Sequence, residues 1–327
     1  MTHNLKLTII IIIFLLQGVY TFCQNIQANV YKQDSIIVIG KDTSKGFFHD
    51  YILFIPKGTQ QNKKTFLLVE PNNTGKLSDS MEIHKKYAIH LASVSSVGNN
   101  ISTELKIPLL VPVFPRPASK QLTYTHALDR DVILENSAGL KRLDLQLLEM
   151  IKDSKNVLKD LNIEVEEKFI MSGFSASGTF INRFSFIHPD KIHALAIGGF
   201  NGELMFPQDD LNGIQLKYPI GTADFEELFG KKFDLSSYKS IPQFIYMGEL
   251  DDNDAVQYDD AYNEEERKII NENIGETVQK RYLECQKVYQ QSSINAVFRT
   301  YENVGHWTTS MMNLEVIKFF DGQINGK

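Results

Sequence analysis

The sequence has few prolines, glycines and cysteines and no surplus of positive charge, and these shortages exclude several classes of protein. Its 327 residues include 10 prolines and 20 glycines, too few for a collagen-like or low-complexity chain. The net charge of −6 lacks the basic surplus typical of nucleic-acid binding, so we expect no nucleic-acid partner. Apolar residues are plentiful at 43%, which is enough for a substantial hydrophobic core.

Long apolar runs are also scarce, and the one that stands out lies near the amino terminus. Residues 7–16 form an apolar run of about ten residues, half the length that a membrane-spanning helix needs. With Lys6 before it and Gln17 after it, this run predicts a signal peptide over residues 1–23. An uncleaved anchor is the alternative. Cleavage predicts a secreted or periplasmic protein without stable membrane insertion, whose single cysteine, Cys285, cannot form an internal disulfide.

The rest of the chain, residues 24–327, alternates between two kinds of segment. Runs rich in β-branched and aromatic residues predict strands at residues 35–39, 51–55, 66–69, 109–113, 169–171, 194–197, 243–247 and 296–301. Helix-like segments are residues 79–94, 140–158, 179–187, 277–291 and 314–320. The alternation predicts one α/β domain with a mainly parallel central sheet, helices on both faces and an antiparallel edge of early strands.

One segment departs from this alternation. Residues 201–240 combine several glycines and prolines with aromatic and acidic residues. This composition predicts an excursion between two strands, which we interpret as a cap or lid insertion over the carboxyl edge of the sheet. A purely structural insertion is the alternative.

A serine follows one predicted strand at a sharp turn. After residues 169–171 come Gly173, Phe174, Ser175, Ala176 and Ser177, and then a helical pattern. A nucleophilic serine at a strand-to-helix turn needs small residues two positions before and after it. The backbone N–H groups of the following helix would face an oxyanion formed at this serine. The alternative is an ordinary turn in which Ser177 caps the helix.

A nucleophilic serine needs a base, and the base needs a carboxylate to orient it. His306 follows the last predicted strand, behind Gly305, and is our candidate base. Asp251 follows the preceding strand, three residues after Gly248, and is our first candidate for the carboxylate. Asp254 in the same loop is the second candidate.

The chain order Ser175, Asp251, His306 resembles that of the α/β-hydrolase family, and the secreted esterase and polyhydroxybutyrate-depolymerase-like branch in particular. The resemblance implies that Ser175 is the nucleophile, Asp251 the acid and His306 the base, with the Ala176 N–H in the oxyanion hole. The sequence departs from the family pattern where Asn72-Asn73 replaces a His-Gly pair, so Asn73 or Thr74 would supply the second oxyanion N–H. Ser177, where glycine is usual, is the other departure.

Together these features predict a secreted serine hydrolase that cleaves carboxylic esters through an acyl-enzyme and needs no cofactor. The alternatives are a serine peptidase of the same fold and a hydrolase-like binding protein without turnover. The expected partner is a small-molecule or polymeric ester, and the oligomeric state is not predicted. Arg116 is a candidate ligand for a substrate carboxylate, and the candidates for an acyl pocket are Tyr124, Phe200, Phe206 and Trp307.

Overall fold

The protein is built around one large β-sheet. The structure, a computed structural model, describes residues 29–73, 75–94 and 97–326, so the predicted signal peptide (1–23) and Thr74 lie outside the described residues. The strands of the large sheet are β1 (Ser35–Ile39), β2 (Tyr51–Ile55), β3 (Leu68–Val69), β4 (Leu109–Pro112), β5 (Phe169–Phe174), β6 (Ile192–Gly198), β9 (Gln243–Gly248) and β10 (Ala296–Tyr301). A separate hairpin pairs β7 (Asp210–Leu211) with β8 (Ile214–Gln215).

Helices separate most of the strands. Those in the described residues are α1 (Met81–Ser93), α2 (Val97–Leu105), α3 (Arg130–Leu134), α4 (Leu143–Asp160), α5 (Ala176–Ile187), α6 (Phe225–Phe229), α7 (Leu235–Ser240), α8 (Glu264–Asn273), α9 (Val278–Gln291) and α10 (Ser310–Asn325). None of the helices in this part of the chain is both long enough and apolar enough to cross a bilayer.

The strand order in the large sheet is β1-β2-β4-β3-β5-β6-β9-β10. Pairs β1/β2 and β2/β4 are antiparallel and the remaining pairs are parallel, which confirms the predicted parallel sheet with an early antiparallel edge. Because parallel strands share a direction, the loops after β3, β4, β5, β6, β9 and β10 all lie at the same edge of the sheet.

Two hydrophobic layers cover the sheet, one on each face. In β2, Tyr51, Leu53 and Ile55 enter one layer, whereas Ile52 and Phe54 enter the other, as the two-residue period of a strand requires. Apolar residues of α4, α5 and α9 fill the first layer, and those of α1, α2 and α10 fill the second. Inner strands such as β2 and β4 therefore read as continuous apolar runs because both of their faces are buried, whereas only one face of the edge strands β1 and β10 is covered.

The excursion predicted at residues 201–240 contains the β7–β8 hairpin and the short helices α6 and α7. Its first part is inside the protein, since Leu204, Met205 and Phe206 are fully buried in the layer that contains α5 and α9. The Met205 N–H donates to the Asn182 side chain of α5 at 2.9 Å. The role of residues 201–240 as a cap or lid over the carboxyl edge of the sheet stays a prediction.

Candidate active site

The turn between β5 and α5 holds Ser175 in an unusual backbone conformation. Its φ and ψ are 62° and −134°, a conformation that costs a non-glycine residue about 1–3 kcal/mol. The Ser175 N–H donates to Gly198 O at 3.0 Å, which ties the turn to β6. A Cβ on Gly173 would lie 2.5 Å from Ser177 O, so only glycine fits there. The packing that surrounds the turn therefore maintains its strain.

Ser177 stands where the resemblance implies glycine, and its side chain closes the same turn. Its hydroxyl donates to Phe174 O at 2.8 Å and accepts from the Phe174 N–H at 2.9 Å. Because this hydroxyl satisfies two backbone groups within the turn, serine is accommodated here without opening it. Ser177 thus lies beside Ser175 as a residue of the turn, and its side chain is nearly buried.

His306 lies between Ser175 and Asp251. Its Nδ1 is 2.9 Å and 3.0 Å from the two carboxylate oxygens of Asp251, and its Nε2 is 2.9 Å from Ser175 Oγ. Asp251 is fully buried, whereas 24% of the His306 side chain is exposed. This network favours the tautomer that donates from Nδ1 and accepts the serine hydroxyl at Nε2. The structure thus brings all three predicted side chains into one hydrogen-bonded chain.

Asp254 turns away from His306. Its Oδ1 forms an ion pair with Arg281 Nη2 at 2.5 Å and also accepts from the Val256 N–H at 3.0 Å. Arg281 is fully buried on α9, and its Nε donates to Gly202 O at 3.0 Å. Asp251 is therefore the carboxylate that contacts His306, and the ion pair of Asp254 with Arg281 connects the same loop to α9.

Ser175 and His306 line a cavity of about 490 Å³ at the carboxyl edge of the sheet. The lining residues are Asn73, Gly75, Arg116, Tyr124, Ser175, Asn201, Asn253, Ala255, Tyr258, Asp260 and His306. Most of them carry polar groups, and Ala255 and the rings of Tyr124 and Tyr258 add apolar atoms. The cavity therefore combines a reactive hydroxyl with several hydrogen-bonding side chains.

Asn73 and Ala176 flank Ser175 from different segments. Asn73 lines the cavity, and its neighbour Asn72 fixes this segment after β3 by two hydrogen bonds to the backbone of Phe114, at 2.8 Å and 3.0 Å. Ala176 begins α5, so its N–H is one of the donors that a helix leaves without an intrahelical partner. Both predicted oxyanion residues thus lie beside the serine turn.

The other predicted candidates take different places. Arg116 lines the cavity, where its Nη2 donates to Asp260 Oδ2. Tyr124 lines it as well, whereas Phe200 and Phe206 are fully buried in the core and Trp307 is 56% exposed outside the lining. Of the four aromatic candidates, only Tyr124 is placed to contact a ligand in this cavity.

Sequence reasoning missed several residues of the site. Asn253 Nδ2 lies 3.2 Å from His306 Nε2, and the Asn253 N–H donates to Asp251 Oδ1 at 3.1 Å. Asn201 accepts from Thr179 Oγ1 at 2.9 Å and donates to the Tyr124 hydroxyl at 3.2 Å. Asn253 could have been found because it lies two residues after Asp251 in the same loop. No local pattern marks Asn201, which only the meeting of β6 with α5 brings to the site.

The comparisons with known proteins identify the fold. No protein-family model and no curated protein matches the sequence. Similar solved structures include poly(aspartic acid) hydrolase-1 from Sphingomonas sp. KT-1, with a TM-score of 0.56, 17% identity and coverage of 88% of this chain and 98% of that chain. An S-formylglutathione hydrolase from Agrobacterium tumefaciens gives a TM-score of 0.52, 8% identity, and coverage of 90% and 98%. A ferulic acid esterase has a TM-score of 0.50 and 11% identity, and the match covers 90% of this chain and 99% of that chain.

These structural neighbours are esterases and other hydrolases that share the arrangement of a mainly parallel sheet between helices. The chain therefore has the α/β-hydrolase fold, as the order of Ser175, Asp251 and His306 predicts. At identities this low the likeness shows the fold alone, so the activity is inferred from the site.

Proposed function

We propose that this protein is a serine hydrolase that cleaves carboxylic esters. The observation that carries the proposal is the hydrogen-bonded chain from Asp251 through His306 to Ser175, which opens into a cavity. A serine hydroxyl becomes an effective nucleophile when a histidine accepts its proton and a carboxylate orients that histidine. The esterases and hydrolases among the structural neighbours support the proposal at the level of reaction class.

In the proposed reaction, Ser175 Oγ attacks the ester carbonyl while His306 Nε2 takes the hydroxyl proton. The N–H groups of Ala176 and Asn73 stabilise the negative charge on the carbonyl oxygen. His306 then returns the proton to the leaving alcohol, and an acyl group stays on Ser175. Water, activated by His306, cleaves this acyl-enzyme, and no cofactor takes part.

Labelling and turnover together test the proposal. A fluorophosphonate probe should modify Ser175, and the purified protein should hydrolyse para-nitrophenyl acetate. Ser175→Ala should abolish labelling and lower kcat by about three to six orders of magnitude. Ser236→Ala is the matched control, because Ser236 is an exposed serine on α7 away from the cavity, and it should keep both properties. An unlabelled Ser175 with no turnover would refute the proposal.

The same test separates the two alternative functions. A serine peptidase would also be labelled at Ser175, but it would hydrolyse a peptide para-nitroanilide at a measurable rate, whereas an ester hydrolase would cleave only the matched para-nitrophenyl ester. A binding protein without turnover would neither react nor hydrolyse, and Ser175→Ala would leave its ligand affinity unchanged. The resemblance to the polyhydroxybutyrate-depolymerase-like branch adds a specific prediction, which release of hydroxyacids from a poly(3-hydroxybutyrate) film would test.

We also propose that the mature protein is exported after cleavage of residues 1–23. The charged start, short apolar run and polar break in the sequence support this proposal. Expression of the full chain followed by amino-terminal sequencing of the protein outside the cytoplasm tests it. A product that starts at Met1 and stays with the membrane would contradict it.

A further inference from the structure

Two fixed charges of opposite sign line the cavity beside Ser175. Arg116 follows β4, Asp260 lies in the connection between β9 and α8, and their side chains form an ion pair. Only 14% of the Arg116 side chain and 20% of the Asp260 side chain is exposed. Because little water screens them, both charges act strongly on any group that enters the cavity.

The guanidinium of Arg116 is held in one orientation. It lies over the ring of Tyr124, with Cζ 4.1 Å from the ring centroid, and its Nη2 is occupied by Asp260. Asn201 in turn donates to the Tyr124 hydroxyl at 3.2 Å. A guanidinium fixed by stacking and one ion pair loses little conformational freedom when it binds a second acceptor.

Arg116 retains donor capacity after its contact with Asp260. Its Nε is buried and has no hydrogen-bond partner among the described residues. Nη1 has no hydrogen-bond acceptor among the described residues either, but unlike Nε it is not fully buried. Nη1 therefore keeps N–H donors for a ligand, and a carboxylate oxygen is the acceptor that gains most from them because the hydrogen bond is charge-assisted.

The rest of the cavity offers hydrogen-bonding groups to a ligand beside its apolar surface. Asn73, Asn201 and Asn253 contribute amide groups to the lining, while Phe200 and Phe206 lie in the core. A cavity of about 490 Å³ accommodates a compact polar substrate or the end of a polar polymer.

We propose that Arg116 makes this protein selective for esters that carry a carboxylate near the scissile carbonyl, and that Asp260 limits the strength of that selection. The inference rests on the proposed function and names its substrate class. Asp260 holds the guanidinium in place, but its negative charge also opposes a second carboxylate. Removing that charge while keeping the shape of the side chain should therefore strengthen the selection.

Matched ester pairs test the inference on each side of the scissile bond. Mono-para-nitrophenyl adipate and its methyl ester differ only in a free carboxylate on the acyl side. Para-acetoxybenzoate and its methyl ester differ in the same way on the alcohol side. The wild type should prefer the free carboxylate in at least one pair, with about a 10- to 100-fold higher kcat/KM, which corresponds to a charge-assisted hydrogen bond.

Variants at both positions sharpen the test. Arg116→Gln should lower the ratio of kcat/KM for the charged ester to kcat/KM for its methyl ester about 10-fold or more, chiefly through a higher KM for the charged ester. Arg116→Lys should retain part of the preference. Asp260→Asn should increase the preference several-fold. Equal losses on charged and neutral esters in Arg116→Gln would show that the pair only ties two loops together, and a smaller preference in Asp260→Asn would also overturn the inference.

A binding measurement distinguishes this failure from failure of the proposed function. Calorimetric titration with adipate needs no turnover, so it can be carried out on wild type and on Arg116→Gln even if neither hydrolyses an ester. Adipate binding that Arg116→Gln weakens at least tenfold would support the inference. Absence of binding to the wild type would refute it, even in a protein that hydrolyses neutral esters.

Discussion

The close approach of Gly248 to the His306 loop gives the sharpest prediction from the structure. Gly248 ends β9, and a Cβ placed on it would lie 2.1 Å from Val304 O and 2.6 Å from Gly305 O. Ordinary contact with carbon begins near 3.4 Å, so Gly248→Ala must displace the Val304–Gly305 backbone by over 1 Å. This backbone leads directly into His306, whose Nε2 lies 2.9 Å from Ser175 Oγ.

We therefore expect Gly248→Ala to lower kcat on para-nitrophenyl acetate by about 100-fold, the usual cost of displacing a reacting group by about 1 Å. The forced contact should also reduce the free energy of unfolding by about 1–3 kcal/mol, measured by urea denaturation. The Leu250 N–H donates to Val304 O at 2.8 Å. When Val304 is displaced, this hydrogen bond breaks unless Leu250 moves together with Val304.

Gly40→Ala is the matched control for this variant. A Cβ on Gly40 would meet nothing within 4 Å, so the same substitution there should change the free energy of unfolding by less than about 0.5 kcal/mol and leave kcat unchanged. Wild-type kcat in a folded Gly248→Ala protein would refute the reasoning, because it would mean that the position of the His306 loop does not set the rate.

Three further predictions concern the loop acids, the serine turn and a buried histidine. Asp251→Asn should lower kcat by about 10⁴-fold with little loss of stability. Asp254→Asn removes the shorter of two ion pairs of buried Arg281, the other being with Glu203 at 3.9 Å, and should chiefly reduce the free energy of unfolding by about 1.5–3 kcal/mol. Steady-state kinetics and urea denaturation of both variants check this. Ser177→Ala should lower the free energy of unfolding by about 1–3 kcal/mol in the same assay, because the Phe174 N–H loses its acceptor. An unchanged urea midpoint would contradict the role of the Ser177 hydroxyl in closing the turn. Burial lowers the pKa of His126 to about 3 in the folded protein, whereas the pKa in the unfolded chain is about 6.5. Between these two values the unfolded chain binds one more proton than the folded protein. The free energy of unfolding therefore falls as the pH falls, by up to about 1.4 kcal/mol per pH unit. His126→Gln should flatten the urea midpoint against pH between about pH 4 and 6 relative to wild type, and parallel curves would contradict the prediction. Asp129, whose pKa burial raises to about 7, acts with the opposite sign, but it is present in both proteins and cancels in the difference.

Elements with strong local patterns could be predicted closely. The predicted strands at residues 35–39, 51–55 and 296–301 have the same bounds as β1, β2 and β10. Their β-branched and aromatic residues, bounded by polar or turn-forming residues, mark both ends. The helix predicted at 179–187 in fact begins at Ala176, because the serine turn leads into it without an intervening loop.

Other elements were not predicted because their patterns are weak. Helix α8 is rich in glutamate, and Ile270 is its one buried apolar side chain, so it lacks a wide apolar stripe. Its one clear signal is the capping box formed by Asn263 and Glu266, which the sequence reasoning did not use. The strand predicted at residues 66–69 shortens to Leu68–Val69, since Phe66 lies outside the paired segment.

The sequence by itself determined the order of the eight strands of the large sheet, the strand-to-helix turn at Ser175 and the candidates Ser175, Asp251 and His306. These features depend on residues close together in the chain, whose spacing and size are visible without coordinates. Only the tertiary structure decided which acid meets His306, because the folding of the loop between β9 and α8 turns Asp251 to His306 and Asp254 to Arg281. The pairing of Arg116 with Asp260, 144 residues apart in sequence, likewise arises only where distant loops meet at one edge of the sheet.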